Sequence, residues 1–360
     1  HREAVGLSGA GHLGGARHLL DPSVRVVTTT TAPKDVYGDS VELITPITTH
    51  GTGFSREGLN LRSYRNLQSS IFNLTTRRVA SSIVHLTAVH AWNVPLVYAL
   101  RRRGVRVIHT LHDLAAHSGV RHARLIGLWN RLIIASGATI LVHGQCYRDE
   151  LIRRGVPASR VVYAPLLHGF WSASEEANRQ FSIFNFQSPI VLFFGRIEPY
   201  KGVEVLIEAW GRLQVEGQQV EGCRLILAGK VADDVRLGEL PPGVEVWDRR
   251  VGDEEGIELF RRAAVLVLPY RDATQSALVA AAARFGVPAI VTRTGALPEY
   301  VAHGETGWVV PPGDADALAA ALGEALGSPE RLVQIGAAAR TWYDEARLEE
   351  QRTLTKLYGD

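Results

Sequence analysis

Two basic residues, Arg196 and Lys201, lie five positions apart in the segment GRIEPYKG, residues 195–202. Apolar residues before Gly195 predict a buried strand that ends there, and Gly202 opens a segment with the apolar periodicity of a helix. Two cations beside a helix N-terminus form a binding site for a diphosphate group. The structural alternative takes both as solvated charges of a turn. The complete G-R-x4-K-G spacing favours the binding site.

A second phosphate-binding candidate is the GxGxxG pattern of Gly9, Gly11 and Gly14. A dinucleotide-binding fold also needs an acidic residue about 20 positions further on, where the second strand ends. Here that strand ends in threonines, and the next acid, Asp35, lies four residues beyond its end. The glycines therefore predict an anion site for any phosphate group, and a tight turn of an α/β unit is the structural alternative.

Length and composition predict a globular protein of two domains. The chain has 360 residues, of which 46% are hydrophobic and 21% charged, and this length exceeds one ordinary core. The net charge of +2 argues against a nucleic-acid-binding surface. We find no apolar run of about 18 residues and no signal-peptide pattern, so we expect a cytoplasmic protein. Cys146 and Cys223 predict buried thiols rather than a disulfide or metal site.

One basic run, Arg101-Arg102-Arg103, precedes Gly104. Cations followed by glycine are typical of a helix C-terminus, where they complement the helix dipole. A second interpretation is a patch for anionic lipid or for an acidic acceptor, which would give a peripheral contact with the inner face of a membrane.

The order of apolar and polar segments predicts an α/β fold with two doubly wound parallel sheets, because near-continuous apolar strands alternate with helices. Predicted strands fall near 3–7, 24–31, 41–44, 82–86, 105–111, 138–142, 160–164, 189–195, 223–228, 244–247, 264–268, 288–292 and 307–310. Predicted helices fall near 14–20, 58–80, 92–103, 121–135, 145–154, 201–213, 253–262, 276–284, 295–302, 314–326 and 341–358.

A polar stretch at 168–188 interrupts this alternation and predicts the interdomain linker. We therefore expect one domain over 1–170 and a second domain over 171–340. A final helix within 341–360 is expected to pack back toward the first domain. Because ligands bind at the carboxyl ends of parallel strands, a cleft between the two sheets is the expected site.

Six motifs in chain order resemble those of retaining family-4 glycosyltransferases of the GT-B fold. They are the glycine-rich turn with Gly14 and Gly15, HTLHDL at 109–114, GRIEPYKG at 195–202, LILAGK at 225–230, PYRDATQSALVAAAARFGVPAIVTRTGALPEYV at 269–301, and GETGWVVPPGDADALAAAL at 304–322. The resemblance covers nearly all of the second half and, more thinly, the first. It implies two Rossmann-like domains facing a central cleft, an N-terminal acceptor-binding domain over 1–170 and a C-terminal nucleotide-sugar-binding domain over 171–340.

The resemblance also implies an activity. A sugar would move from a nucleotide-diphosphate sugar donor to a hydroxyl of a glycan, lipid-linked or small-molecule acceptor, with retention of anomeric configuration. Arg196 and Lys201 would bind the diphosphate and stabilise it as it leaves, and His112 would lie near the reacting carbon. Taken alone, His112 is more often a structural histidine at a strand end. The implied donor-binding residues are Gly14, Gly15, Gly195, Lys230, Val251, Asp272, Thr274, Gln275, Ser276 and Glu299.

The chain departs from the family pattern at two positions. The family usually has two glutamates eight residues apart, where this chain has Ala273 and Ala281. Neither side chain can accept a hydrogen bond, so recognition of ribose and sugar hydroxyls must use other groups. Asp272, one residue before the first alanine, is a candidate substitute.

We expect neither a metal nor a cofactor beyond the nucleotide-sugar co-substrate. No D-x-D ligand set is placed at a suitable strand end, and Asp233-Asp234 is predicted to be a solvated loop. The cations and a helix N-terminus would stabilise the charge that grows on the leaving diphosphate.

Three other functions remain open at this level. An NAD oxidoreductase would explain the first glycines but not the G-R-x4-K-G segment. A nucleotide-sugar epimerase of the GT-B fold would consume donor without an acceptor. A non-catalytic sugar-nucleotide-binding relative is suggested by Ala273 and Ala281.

Overall fold

The computed structural model describes residues 3–5, 25–29, 42–47, 83–87, 93–114, 123–167, 189–215 and 222–359, with backbone alone for the first three of these ranges. Several predicted features lie outside the described residues: Gly14 and Gly15 with the rest of their motif, the helices at 14–20 and 58–80, and the linker at 168–188.

The chain divides into two compact units, His1–Pro165 with Glu350–Asp360, and Leu166–Glu349. Within its described residues, the first unit contains two parallel sheets. One has the order β1-β2-β3, with β1 at Glu3–Val5, β2 at Arg25–Thr29 and β3 at Glu42–Ile47. The other has the order β4-β5-β6-β7, with β4 at Ile83–Leu86, β5 at Arg106–Thr110, β6 at Thr139–Val142 and β7 at Val161–Tyr163.

Helices cover this second sheet because their apolar residues recur at helical spacing. They are α1 (Asn93–Arg102), α2 (Ala123–Ala135) and α3 (Gln145–Arg153). Leu96 and Leu100 of α1 and Trp129 and Ile133 of α2 are buried in one hydrophobic core with the strands. Arg101 and Arg102 lie in the last turn of α1, as the basic run predicts.

The described part of the second unit contains one parallel sheet of six strands in the order β10-β9-β8-β11-β12-β13. Its strands are β8 (Ile190–Phe194), β9 (Arg224–Ala228), β10 (Val244–Trp247), β11 (Ala263–Leu268), β12 (Ala289–Thr292) and β13 (Gly307–Val310). The helices of this unit are α4 (Val203–Val215), α5 (Asp253–Arg262), α6 (Ala277–Arg284), α7 (Ala315–Gly327) and most of α8 (Pro329–Gly359). Strand order reverses between β8 and β11, and such a switch point opens a ligand crevice at the carboxyl ends of the strands.

Two predicted helices differ from the observed ones. The segment predicted as a helix at 295–302 contains only a 3-10 turn, Leu297–Glu299. Pro298 has no N–H to donate, and the Tyr300 N–H bonds to the Leu297 carbonyl, three residues back.

The C-terminal helix is longer than predicted, since it begins at Pro329 instead of residue 341. Proline is favoured in the first turn of a helix. Ala339 and Tyr343 of α8 pack in the second unit, whereas Leu354 and Leu357 pack against the β4-β5-β6-β7 sheet of the first unit.

The cysteine prediction is half right. The two cysteines are not joined in a disulfide and Cys223 is buried, but Cys146 is exposed. Cys146 is the second residue of α3, and of this helix only Leu151 is buried.

Candidate active site at the β8–β11 switch point

Glycines bring the ends of β8 and β9 into close contact. Gly195 has a φ of 111°, and its N–H donates to the Ala228 carbonyl at 2.9 Å. A Cβ on Gly229 would lie 2.1 Å from the Gly195 carbonyl oxygen, so only glycine fits there. The Ile197 N–H then donates to the Lys230 carbonyl at 2.9 Å. The turn after β8 therefore starts from a fixed backbone position.

The same turn is also fixed on its other side, against the segment after β11. Gly202 has a φ of 63°, and a Cβ there would lie 2.2 Å from the Pro269 carbonyl oxygen. The Arg271 N–H donates to the Tyr200 carbonyl at 2.8 Å. The two loops that flank the switch point are thus in direct backbone contact.

Lys201 lies inside this contact and not at the surface. It is only 9% exposed, with its Nζ 3.9 Å from a Glu198 carboxylate oxygen. The Nζ lies 5.8 Å from the ring centroid of Tyr200 and 5.7 Å from that of Tyr270. Burial lowers the pKa of Lys201 to about 8, although the Glu198 charge acts in the opposite direction. For Lys201 the solvated-turn alternative is wrong.

Arg196 differs from Lys201, because its side chain is 71% exposed and ion-paired with Glu198. Exposed ion pairs contribute little to stability, so this guanidinium can leave Glu198 for an anion at small cost. The turn therefore carries one fixed, buried cation and one solvated cation.

The loop from Tyr270 to Ser276 leads into α6. The Ser276 side chain accepts a hydrogen bond from the Leu278 N–H and so caps the helix. Ser276 also hydrogen-bonds the side chain of Tyr270, whose pKa is raised by burial. The Thr274 carbonyl accepts from the Ala296 N–H at 2.9 Å, which ties this loop to the one after β12.

The two alanines at the glutamate positions of the family are both buried. Ala281 is 1% exposed, and Ala273 is also inside. Leu278, one helical turn before Ala281, reaches to 3.8 Å from the position of a Cβ on Gly195. No carboxylate thus occupies either alanine position, and Leu278 fills space beside Gly195.

The remaining predicted donor-binding residues lie at the same carboxyl edge of the sheet, each after a different strand. Lys230 follows β9 and is exposed, with its Nζ 3.1 Å from Asp248. Val251 follows β10, Asp272 follows β11, and Glu299 follows β12, and all three are half-buried.

Acidic groups do not assemble into a metal site in the described part of the chain. Asp233 and Asp234 are exposed, as expected. Across the described ranges, no group of three or more His, Cys, Asp or Glu side chains is placed to hold a metal ion.

His112 lies in the first unit, just after β5. Its Nε2 is 2.7 Å from the Thr87 carbonyl oxygen, which fixes Nε2 as the protonated nitrogen. Burial lowers the pKa of His112, so the ring is neutral at pH 7. Nearby His109 is fully buried, with its pKa lowered to about 3, and its Nε2 lies 3.3 Å from the Asn93 amide nitrogen.

Sequence reasoning missed Tyr200 and Tyr270. Tyr200 directly precedes Lys201, and Tyr270 lies in the PY pair after β11. The sequence shows a tyrosine in each of these two loops, but nothing in the sequence predicts that both rings lie beside one ammonium.

Comparison with known proteins identifies the family. Residues 188–328 match the family described as glycosyl transferases group 1, and residues 12–166 match the glycosyl transferase 4-like domain. The D-inositol 3-phosphate glycosyltransferase of Corynebacterium glutamicum is 30% identical over 305 residues, which cover 75% of this chain and 67% of that protein. The chain belongs to the group 1 glycosyltransferase family.

Other members of the family match over shorter stretches. The GDP-mannose-dependent alpha-(1-6)-phosphatidylinositol monomannoside mannosyltransferase of Mycolicibacterium smegmatis is 31% identical over 170 residues. This match covers 43% of each of the two chains. The chain described here therefore spans less than half the length of this relative.

Solved structures confirm the predicted GT-B fold. Anabaena HepE, crystallised with UDP and glucose, matches with a TM-score of 0.70 at 15% identity, and the match covers 100% of both chains. Sucrose-phosphate synthase of Thermosynechococcus elongatus gives a TM-score of 0.70 at 20% identity, and the match covers 99% of this chain and 98% of that one.

Among the described residues of this group 1 glycosyltransferase, no helix is both long and apolar enough to cross a membrane.

Proposed function

We propose that this chain transfers a sugar from a nucleotide-diphosphate sugar to a hydroxyl acceptor, with retention of configuration at the anomeric carbon. The observation that carries the proposal is the buried ammonium of Lys201 at the β8–β11 switch point, where α/β folds bind ligands. An ammonium fixed away from water interacts more strongly with a diphosphate than a solvated one does.

The proposed reaction breaks the bond between the anomeric carbon and the diphosphate oxygen. Negative charge then grows on the diphosphate, and fixed donors aimed at that charge lower the barrier. Lys201 supplies the fixed charge, and Arg196 joins after leaving Glu198. The acceptor oxygen attacks from the same face of the sugar, and its proton passes to a diphosphate oxygen.

We assign the remaining polar groups to recognition of the donor. Thr274, Gln275 and Ser276 would hold the diphosphate and sugar, and Asp272 would replace a missing glutamate. His112, kept neutral by burial, would face the sugar without adding charge. One relative is named for GDP-mannose and one structural neighbour was solved with UDP, so both bases belong in the first donor panel.

The experiment is a panel of UDP-, GDP- and dTDP-sugars tested by thermal shift, followed by a transfer assay with the donor that binds. A donor at 100 times its Kd adds about 2.7 kcal/mol to the free energy of unfolding. Transfer that keeps its anomeric configuration supports the proposal. Binding of none of the donors would contradict it.

A non-catalytic sugar-nucleotide-binding protein is the second candidate function. It is favoured by Ala273 and Ala281, since neither position offers a carboxylate. This function predicts donor binding with no release of nucleoside diphosphate for any acceptor. Consumption of donor without acceptor would instead indicate an epimerase.

We also propose a peripheral contact with anionic lipid through helix α2. Leu125, Leu128 and Leu132 of this helix are exposed and recur at helical spacing. Arg124 and Arg131 are exposed beside them, and α2 contains no acidic residue. Leucines flanked by arginines suit the interface of an anionic bilayer.

A further inference from the structure

Two tyrosine rings flank the ammonium of Lys201 within the candidate site. The Nζ lies 5.8 Å from the centroid of Tyr200 and 5.7 Å from that of Tyr270, both within the range of a cation–π interaction. The rings lie edge to face, with centroids 6.1 Å apart and planes at 69°. They come from different loops, one after β8 and one after β11.

We infer that Tyr200 and Tyr270 are positioning residues, whose ring faces hold the Lys201 ammonium at the switch point so that it points a fixed charge at the anionic ligand. The inference deepens the proposed function and rests on it for the identity of that ligand. Neither tyrosine is needed to react, because each acts through Lys201.

Tyr270 has a second connection, through its hydroxyl group. Its hydroxyl is hydrogen-bonded to Ser276, which caps α6 and precedes its first turn. One side chain thus links the cation to the loop proposed to hold the diphosphate. The ring contacts the Lys201 ammonium, and the hydroxyl hydrogen-bonds Ser276. A substitution that removes only the hydroxyl therefore separates the second interaction from the first.

Among the described residues, the charges that act on the ammonium are those of Glu198 and Arg196. Glu198 lies 3.9 Å away and favours the charged form, and Arg196 on the same turn opposes it. On the packed elements, Arg271 after β11 is ion-paired at 2.7 Å with Glu204 of α4, so these two charges offset each other. Substitution of either tyrosine therefore changes the surroundings of the Lys201 ammonium without altering the charge around it.

The sequence offers a direct readout of the ammonium. The chain has four lysines, Lys34, Lys201, Lys230 and Lys356, so selective labelling with ¹³C-lysine gives four Cε signals. The signal that disappears in Lys201→Arg belongs to Lys201, and its change with pH reports the ionisation of that ammonium alone.

We test the rings with Tyr200→Leu and Tyr270→Leu, which keep an apolar side chain but remove the ring face. Each is expected to lower the pH at which Lys201 titrates by about half a unit, because burial continues while the attraction of the ring is lost. The matched variants Tyr200→Phe and Tyr270→Phe keep the ring and leave the Lys201 titration as in the parent. The other three lysine signals serve as internal controls and stay unchanged in all four variants.

Activity gives the second readout. Tyr270→Leu is expected to lower kcat for transfer and to move the alkaline limb of the pH profile to lower pH, while Tyr270→Phe keeps the limb and changes donor KM through Ser276. An unchanged Lys201 titration in both leucine variants overturns the inference, as does an equal shift in the phenylalanine variants. Half-buried Tyr200 provides the test if Tyr270→Leu does not fold. Full transfer by Lys201→Met would reject the proposed role of Lys201 in transfer while leaving the titration result valid, and absence of transfer by the parent with every donor would reject the proposed function.

Discussion

The Nζ of Lys201 lies 3.4 Å from the position that a Cβ on Gly195 would occupy. A methyl group at residue 195 would therefore be in van der Waals contact with the ammonium that the proposed reaction requires. It would also strain the backbone, because Gly195 has a φ of 111°.

We expect Gly195→Ala to lower kcat/KM for transfer by about tenfold or more, because a misplaced charge stabilises the leaving group poorly. Gly238→Ala is the matched control, since Gly238 also has a positive φ, 69°, but no atom lies within 4 Å of its Cβ position. Thermal unfolding and steady-state kinetics of both variants separate a general loss of stability from an effect at the site. Equal kinetic losses in the two variants would show that the position of residue 195 beside Lys201 has no effect.

The two cations of the turn are expected to differ in their contributions. Lys201→Met should lower kcat by about 100- to 1000-fold, as the loss of a fixed donor at developing charge does. Arg196→Ala should cost about 10-fold, because its guanidinium is solvated and must leave Glu198 first. Single-turnover rates with a verified donor provide the measurement. Near-parental rates in both variants would refute the diphosphate assignment.

Lys201 makes stability and activity depend on pH in opposite directions. Its pKa is about 8 in the folded state against 10.5 when unperturbed. Below pH 8 both states bind the proton and the buried charge costs stability. Between pH 8 and 10.5 the unfolded state binds more protons, so the free energy of unfolding rises with pH. Transfer should fall over the same window as the ammonium loses its proton.

The measurement is urea unfolding from pH 7 to 10, beside kcat/KM over the same range. The contribution of Lys201 is the difference between the parent and Lys201→Met, in which this pH dependence is absent. If the free energies of unfolding of the parent and of Lys201→Met change in parallel with pH, then the folded and unfolded states bind the Lys201 proton equally.

Ser276→Ala should weaken donor binding as well as stability. It removes the cap of α6, which costs about 0.5–2 kcal/mol, and the hydrogen bond to Tyr270. Asp314→Ala is the matched control, because Asp314 caps α7 through the Ala317 N–H at 2.9 Å. Both variants should lose stability, but only Ser276→Ala should raise the donor Kd measured by calorimetry. A raised donor Kd in both variants would mean that loss of either helix cap weakens donor binding, with no specific role for Ser276.

Chelation of metal ions should leave transfer intact. The proposed site already directs an ammonium and the N-termini of α4 and α6 at the leaving group. We expect at least most of the parental rate in excess EDTA with the verified donor. Loss of activity that Mg²⁺ or Mn²⁺ restores would overturn the metal-independent mechanism.

Replacement of the exposed leucines of α2 should abolish binding to anionic vesicles. Leu128 is 54% exposed, and Leu128→Ser should reduce sedimentation with phosphatidylglycerol vesicles but not change thermal stability. Leu348→Ser is the control, since Leu348 is 56% exposed on α8, away from α2 in the sequence. Failure of the parent chain to sediment with these vesicles would refute the contact. Concentration-dependent dimerisation that Leu128→Ser abolishes would show that the leucines contact a protein instead.

The sequence by itself determined the order and position of the strands around the site. The predicted strands 244–247 and 307–310 have the observed bounds, and the remaining described strands lie within a few residues of theirs. Strands covered on both faces are continuous apolar runs, and polar turns end them sharply, so the local pattern suffices. The residues around GRIEPYKG likewise predicted a strand, a turn and a helix in that order.

Only the tertiary structure decided what surrounds Lys201. The sequence gives a lysine in a turn, which is ordinarily solvated, and the structure buries it because β8 and β11 are neighbours in the sheet. That pairing brings Tyr270 to Lys201 across 69 positions of the chain. Burial and ring contacts between distant residues follow from how strands assemble, and no local pattern of residues encodes that assembly.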